Sequence, residues 1–248
     1  MFSQTLFEEY NPKNLKIGMG WNGKSNKTIK SKEAFGESVV VYTDSNKLIE
    51  DLYKDKIDAA IRGDMSSSAI LPRLKETFKV NNLERVVIFK LKNGKLIISA
   101  PVGIDEGWTV EQKYTLATRS VNLMESVGIK TKIAVMSGGR KDDIGRCPEV
   151  DKTIYDALKL VQILNAEGYN AYHAEILLEN AINDADIIIA PDGISGNIIF
   201  RSLHFICGAK ALGAPVVNID KIFVDTSRAK DSYEDSIALA IKLARNKK

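Results

Sequence analysis

Ile187-Ile188-Ile189-Ala190-Pro191-Asp192-Gly193-Ile194-Ser195-Gly196-Asn197 joins a short apolar run to a cluster of turn-forming and hydrogen-bonding residues. A brief apolar run that stops at a proline reads as a strand buried on both faces, the kind that parallel sheets use. Asp192 then stands at the carboxyl end of that strand, where open α/β sheets bind their ligands. Gly196 permits close approach of another group, and Asn197 offers both a donor and an acceptor. The residues that follow are expected to form a helix with Ile198, Ile199, Leu203, Ile206 and Leu212 turned inward.

The same grammar extends in both directions. Further candidate strands are 15–18, 39–43, 57–61, 86–91, 96–100, 132–136 and 216–219, and helical spacing of apolar residues fills many of the gaps. The clearest helix carries Val150, Ile154, Ala157, Leu158, Val161 and Leu164 on one face. Strands alternating with helices predict an α/β protein with mainly parallel sheets covered on both faces. One exception is built in: Lys92-Asn93-Gly94-Lys95 between two strands reads as a tight antiparallel hairpin.

Composition narrows the function classes. The chain has 248 residues, 44% hydrophobic and 27% charged, with a net charge of +3. That is enough material for one large α/β domain or two lobes, and no basic run or stripe suggests nucleic-acid binding. No apolar stretch approaches the length of a membrane span. Met1–Tyr10 carries Glu8 and Glu9 and does not read as a signal peptide. Cys147 and Cys207 lie far apart, as expected of reduced thiols in a cytoplasmic protein. With only His173 and His204 as histidines and no Cys-x-x-Cys, the ligand inventory predicts no metal site.

Three more strand–loop–helix junctions carry polar chemistry. The segment 57–68 ends a strand in Arg62-Gly63-Asp64 and opens a helix with Ser66, Ser67 and Ser68, where unpaired amides at a helix start attract anions; the alternative is that one serine is simply the N-cap. Met136-Ser137-Gly138-Gly139-Arg140 pairs flexible backbone with an arginine, and Arg146 follows before a helix that Pro148 opens; the alternative is a solvated surface loop. Asp225-Thr226-Ser227-Arg228 places a guanidinium fork beside hydroxyls, and Ser232-Tyr233-Glu234-Asp235 precedes the last helix. Ser232 followed three residues later by an acid is also close to a capping box, so Asp235 is either a functional acid or a helix cap. Gly18-Met19-Gly20-Trp21-Asn22-Gly23, with Asp44 after the next strand, matches a dinucleotide fingerprint; bulky Trp21 and the short preceding strand argue against that use.

Taken together, the four junctions resemble the phosphate acetyl/butyryl transferase family. The stretch 58–74, with Pro72, is similar to that family's hydroxyl-bearing strand-loop-helix, and 133–160 to its glycine loop and Pro-Glu-Val-Asp-Lys helix. The stretch 185–197 resembles its Pro-Asp…Gly-Asn segment, which Gly208–Gly213 continues, and 216–235 resembles its closing Ser-Arg…Glu-Asp stretch, in the same order throughout. Asp192–Asn197 is also similar to the Asp-Gly-Phe-x-Gly-Asn of acyl-carrier-protein phosphate acyltransferases. Within this superfamily the chain most resembles the methanogen MtxX family, a methanogenesis marker named as a methyltransferase subunit.

The resemblance implies two α/β/α lobes with a cleft between them, a phosphotransacetylase-like fold shared with isocitrate and isopropylmalate dehydrogenases, and a homodimer. The implied division puts residues 1–102 and 214–248 in one lobe and 103–213 in the other. It implies acyl transfer between phosphate and a thiol cofactor such as coenzyme A. Ser227 and Arg228 would hold the acyl phosphate and Asp235 would deprotonate the thiol, with Ser66, Ser67, Ser68, Ser137, Gly138, Arg140, Asp192, Gly196 and Asn197 binding substrate. A second expectation is a non-catalytic or methyltransferase-associated subunit that binds a phosphorylated ligand and a protein partner of methanogenesis. The sequence departs from the family pattern at Ala229, where glycine is usual, at Gly193, where leucine is usual, and by one extra residue after Ser227. Its N-terminal lobe is also shorter. A nucleotide-fold methyltransferase would place an acid before its first glycine, whereas Ile17 stands there.

Overall fold

The computed structural model describes residues 14–125, 128–228 and 230–247; Met1–Tyr10 lies outside them. The chain divides into two compact units, one made of Met1–Leu83 with Leu212–Lys248 and the other of Glu84–Ala211.

The first unit opens with β1 (Ile17–Gly20), α1 (Asn26–Glu33), β2 (Val39–Tyr42), α2 (Ser45–Tyr53), β3 (Ala59–Ile61) and α3 (Ser67–Phe78). The second unit follows with β4 (Val87–Lys90), β5 (Leu96–Ala100), α4 (Val110–Glu125), β6 (Ile133–Met136), α5 (Pro148–Ala166), β7 (Ala171–Glu175), α6 (Leu178–Asp184), β8 (Ile187–Ile189) and α7 (Gly193–Arg201). The chain returns to the first unit through β9 (Lys210–Pro215), β10 (Ile222–Asp225) and α8 (Glu234–Lys247).

In the first unit the strand order is β2-β1-β3-β10-β9, parallel except for β9 against β10. Helix α2 forms because Leu48, Ile49 and Leu52 recur on one face, and the Asp44 side chain caps its start by accepting from Asn46 N at 2.8 Å. Those three side chains are fully buried with Ile70 and Leu74 of α3 against Ala60 and Phe223 of the sheet. Full burial of each leucine or isoleucine is worth about 1.5–3 kcal/mol. Alternation along the strands sends Ile17, Met19, Ala59 and Ile61 to the opposite face, which α8 covers.

In the second unit the order is β4-β5-β8-β6-β7, parallel except for the β4–β5 hairpin. The expected turn at Asn93-Gly94 is present, with Gly94 at φ +83° and Leu91 N donating to Lys95 O at 2.8 Å. Ile187, Ile188 and Ile189 are completely buried, as the sequence predicted for this strand. Because β5 pairs with β8, the hairpin belongs to the second unit, and the first junction falls at Leu83–Glu84 and not at residue 102.

Two local expectations fail. Helix α7 stops at Arg201 and passes through a π turn at Ser202–Ile206, so Leu212 lies in β9 while Ile198 and Ile206 are 59% and 81% exposed. Of the strand expected at 216–219 only Val216 joins a ladder, as an isolated bridge, and 217–219 form a loop. The ladder lies on either side of it, in β9 and β10, where Val216 N donates to Phe223 O to close the reverse turn.

Candidate functional site

The carboxyl ends of β3 and β10 are welded together in the first unit. Arg62, on the exit of β3, forms a buried ion pair with Asp225 at the end of β10, and donates from Nη1 to Met65 O at 3.0 Å. Thr226 Oγ1 donates to Gly63 O at 2.7 Å, and Thr226 N to Asp225 Oδ1 at 2.8 Å. Every arm of the guanidinium and carboxylate that faces inward therefore finds a partner, as a buried pair requires. The Ser227–Arg228 turn projects from this base.

A lysine from a distant helix fixes that turn. Lys27 Nζ, on α1, donates to the carbonyls of Arg228 and Lys230, the second at 2.9 Å, and lies 5.4 Å from the centre of the Tyr233 ring. Lys230 is itself buried and donates to Leu212 O at 3.3 Å and Ser236 Oγ at 3.0 Å. The Arg228 side chain, by contrast, is exposed and has no hydrogen bond or ion pair among the described residues. Its backbone is held while its charge stays available.

Asp235 is half-buried in the first turn of α8, where the helix dipole favours a carboxylate. The Ser232 hydroxyl accepts from Glu234 N at 3.1 Å, and Tyr233 O receives Ile237 N at 2.9 Å, so Tyr233 opens the helix. The phenol of Tyr233 is fully buried without a hydrogen-bond partner. Its burial and the charge of Asp64 push its pKa up.

Ser66 is the N-cap residue of α3, yet its side chain makes no capping bond; its hydroxyl lies 2.6 Å from that of the exposed Ser68. Ser67 begins the helix itself. Asp64 is buried beside this helix start. It accepts from Asn22 N at 2.7 Å and from Thr28 Oγ1 at 2.9 Å, tying the loop after β1 to the loop after β3.

The remaining expected residues lie in the second unit. Ser137 is buried at the end of β6; its hydroxyl donates to Gly139 O at 2.8 Å and meets His173 Nε2 at 2.7 Å. Gly138 N donates to Thr153 Oγ1 at 2.8 Å, and Arg140 N to Asp143 Oδ2 at 2.8 Å, so this loop is braced on α5 and on its own acid. Asp192 caps α7, accepting from Ser195 N at 2.8 Å. A Cβ on Gly196 would stand 1.9 Å from Pro101 O, and one on Gly193 1.9 Å from Gly103 O. The Asn197 amide donates to Val102 O at 2.9 Å. The glycines and amide of this loop thus seat α7 on the loop after β5.

Sequence reasoning missed Lys27, His173 and Lys113, and it quoted Arg62 and Asp64 in their junction without giving either a role. Lys113 is buried on α4 and donates to Pro191 O at 3.2 Å and Asp156 at 3.4 Å, directly behind the Asp192 loop. Burial lowers its pKa, partly offset by Asp156. Lys27 and Lys113 read as ordinary helix-face charges, and His173 lies outside every junction singled out. Among the described residues no group of three or more His, Cys, Asp and Glu side chains could hold a metal ion. No described helix is long and apolar enough to cross a membrane.

Two α/β units with mainly parallel sheets, and polar residues gathered at strand carboxyl ends, define a protein of the phosphotransacetylase fold. A branched-chain phosphotransacylase from Enterococcus faecalis matches with a TM-score of 0.74 at 16% identity, over 93% of this chain and 99% of that one. A phosphotransacetylase from Streptococcus pyogenes gives 0.74 at 15% identity, over 99% and 98% of the two chains. No family model matches the chain. A Methanosarcina mazei protein provisionally named methyltransferase mtx subunit X is 39% identical over 210 residues, 84% of this chain and 75% of that protein. The chain belongs to the mtx subunit X family of methanogens.

Proposed function

We propose that this protein is a phosphate acyltransferase, moving an acyl group between phosphate and the thiol of a cofactor such as coenzyme A. The observation that carries the reading is the Ser227–Arg228 turn, whose backbone Lys27 clamps while the guanidinium makes no hydrogen bond or ion pair among the described residues. A planar, permanently charged fork in that state suits the phosphate end of an acyl phosphate.

In the proposed reaction the thiolate attacks the acyl carbon, a carbon–sulfur bond forms, and the bond from that carbon to the phosphate oxygen breaks. The products are a thioester and inorganic phosphate. The thiol proton passes to Asp235, which with Glu234 forms the acidic first turn of α8. A free thiol is only a few per cent ionised at neutral pH, so a base is worth about 10²–10⁴-fold. Arg228 stabilises charge on the attacked carbonyl or the leaving phosphate, and Ser227 orients one of them.

A second reading is a subunit of a methyltransferase assembly that binds a phosphorylated ligand. Besides the names of the relatives, an apolar stripe supports it: Ile194, Ile198, Phe205 and Ile206 are 51%, 59%, 46% and 81% exposed on α7 and the π turn. Such a stripe suits a protein partner, whether another subunit or a second copy of this chain. An exchange assay with a panel of acyl phosphates and thiols separates the readings. Acyl exchange by the wild type that Arg228→Ala reduces at least about 100-fold supports the first. No exchange with any pair overturns it in favour of the subunit.

A further inference from the structure

The segment Gly18-Met19-Gly20-Trp21-Asn22-Gly23 plays no part in the acyl-transfer reading, yet it borders a cavity of about 230 Å³ in the first unit. The position is informative. Strand β1 lies between β2 and β3, so the chain leaves β1 toward one neighbour and later crosses back to the other. Adjacent strand ends that depart in opposite directions leave a crevice at the carboxyl edge of the sheet, where α/β proteins place ligands. The loops after β1, β2 and β3 all line this cavity, through Trp21, Asn22, Thr43, Ser45, Met65 and Ser66.

The walls are fixed in advance. Trp21 N donates to Tyr42 O at 2.8 Å, and its indole Nε1 donates to Ser25 O at 2.9 Å, which sets the ring plane. Asp64 holds the next residue through Asn22 N. A Cβ on Gly63 would lie 1.9 Å from Gly20 O, and one on Gly20 2.4 Å from Arg62 O. Gly20 of the fingerprint and Gly63 after β3 therefore serve the approach of β1 to β3, and not that of a pyrophosphate.

Chemistry and size select the ligand class. Among the described residues no lysine or arginine lines the cavity, so a phosphate there would have no counter-charge from them. What lines it is an indole, a thioether, a methyl group, three hydroxyls and a carboxamide. The cavity, about 230 Å³ and partly open to solvent, has room for one ring and a sugar. We propose that this cavity binds a nucleoside-like ligand, a flat uncharged heterocycle that packs against Trp21 and Met65 and hydrogen-bonds to Thr43, Ser45 and Ser66. The assignment is independent of the acyl-transfer reading.

The test uses the full chain carrying Trp108→Phe, which leaves Trp21 as the sole indole of two. Adenosine, guanosine, cytidine, uridine and inorganic phosphate are titrated separately while Trp21 fluorescence is followed. The expected result is a saturable change with at least one nucleoside and none with phosphate. Ala69→Phe, at an exposed helix position on the cavity wall, should weaken that nucleoside about tenfold or more. Thr43→Val, also at an exposed position, provides a second variant should the first fail to fold. No saturable change with any nucleoside, a change with phosphate alone, or unaltered affinity in the folded variants overturns the proposal.

Discussion

Lys27 and Arg228 are 201 positions apart, and the ammonium of the first donates to the main-chain carbonyl of the second. An α1 side chain thereby sets the conformation of the turn that presents the guanidinium. If inorganic phosphate binds at Arg228, phosphate at 100 times its dissociation constant raises unfolding free energy by about 2.7 kcal/mol. Arg228→Ala should abolish most of that gain. Lys27→Met should abolish part of it by releasing the turn, and Lys27→Arg should restore it. Thermal melts with and without phosphate read all three. Equal gains in wild type and Arg228→Ala would place the anion elsewhere.

The Arg62–Asp225 pair is buried, and removal of one partner strands the other's charge. Arg62→Met and Asp225→Leu are each expected to cost about 3–5 kcal/mol in urea unfolding. The double variant should recover much of that loss, because no lone charge remains. Additive losses would show that the surrounding hydrogen bonds to Met65 and Gly63, and not the charges, carry the energy.

Asp235→Asn separates the base from the cap. A base predicts strongly lowered acyl exchange with nearly unchanged melting. A helix-start role alone predicts a loss of about 1 kcal/mol with exchange intact. Full activity in this variant would move the search for the base to Asp192, which caps α7 in the second unit.

His173 gives the fold a pH dependence of known sign. Burial lowers its pKa below the ordinary histidine value. With the Ser137 proton committed to Gly139 O, Nε2 donates to Ser137, and Nδ1 is buried without a partner. The unfolded chain therefore takes up a proton before the folded one does. This contribution is fully present above the unfolded value near 6.5 and is lost as pH falls toward the folded value, with a slope of at most about 1.4 kcal/mol per pH unit. His173→Gln should flatten that part of the stability profile relative to wild type. Parallel profiles for the two proteins would rule it out.

The architecture was readable because strand cores such as Ile187–Ile189 are apolar without interruption, and Asn93-Gly94 has one low-energy use. The boundary at residue 102 was misread because the hairpin's partner is β8, which follows it by more than eighty residues and leaves no local mark. The segment 216–219 resembles a strand in composition, but only Val216 pairs, and the hydrogen bonds of β9 and β10 decided the ladder. Within the site, motif residues such as Arg228 stood out, while the groups that hold them did not. Lys27 reaches the turn only through tertiary packing, and its helix carries three other lysines or acids of similar appearance. Gly196 shows the converse: it marked a ligand loop by composition, and its missing side chain accommodates the Pro101 carbonyl.

The first unit is assembled from both ends of the chain, with β3 at Ala59–Ile61 paired to β10 at Ile222–Asp225. During synthesis, which runs from the N-terminus, β3 waits as an unpaired edge while the whole second unit is made. That second unit is continuous and holds all five of its own strands, so its sheet can complete before the first unit's can. The Ser227–Arg228 turn is then the last loop to gain its foundation, since Asp225 reaches Arg62 only when the final strand is laid down. A nascent or C-terminally clipped chain that ends before Ile222 keeps a complete second sheet but no Arg228.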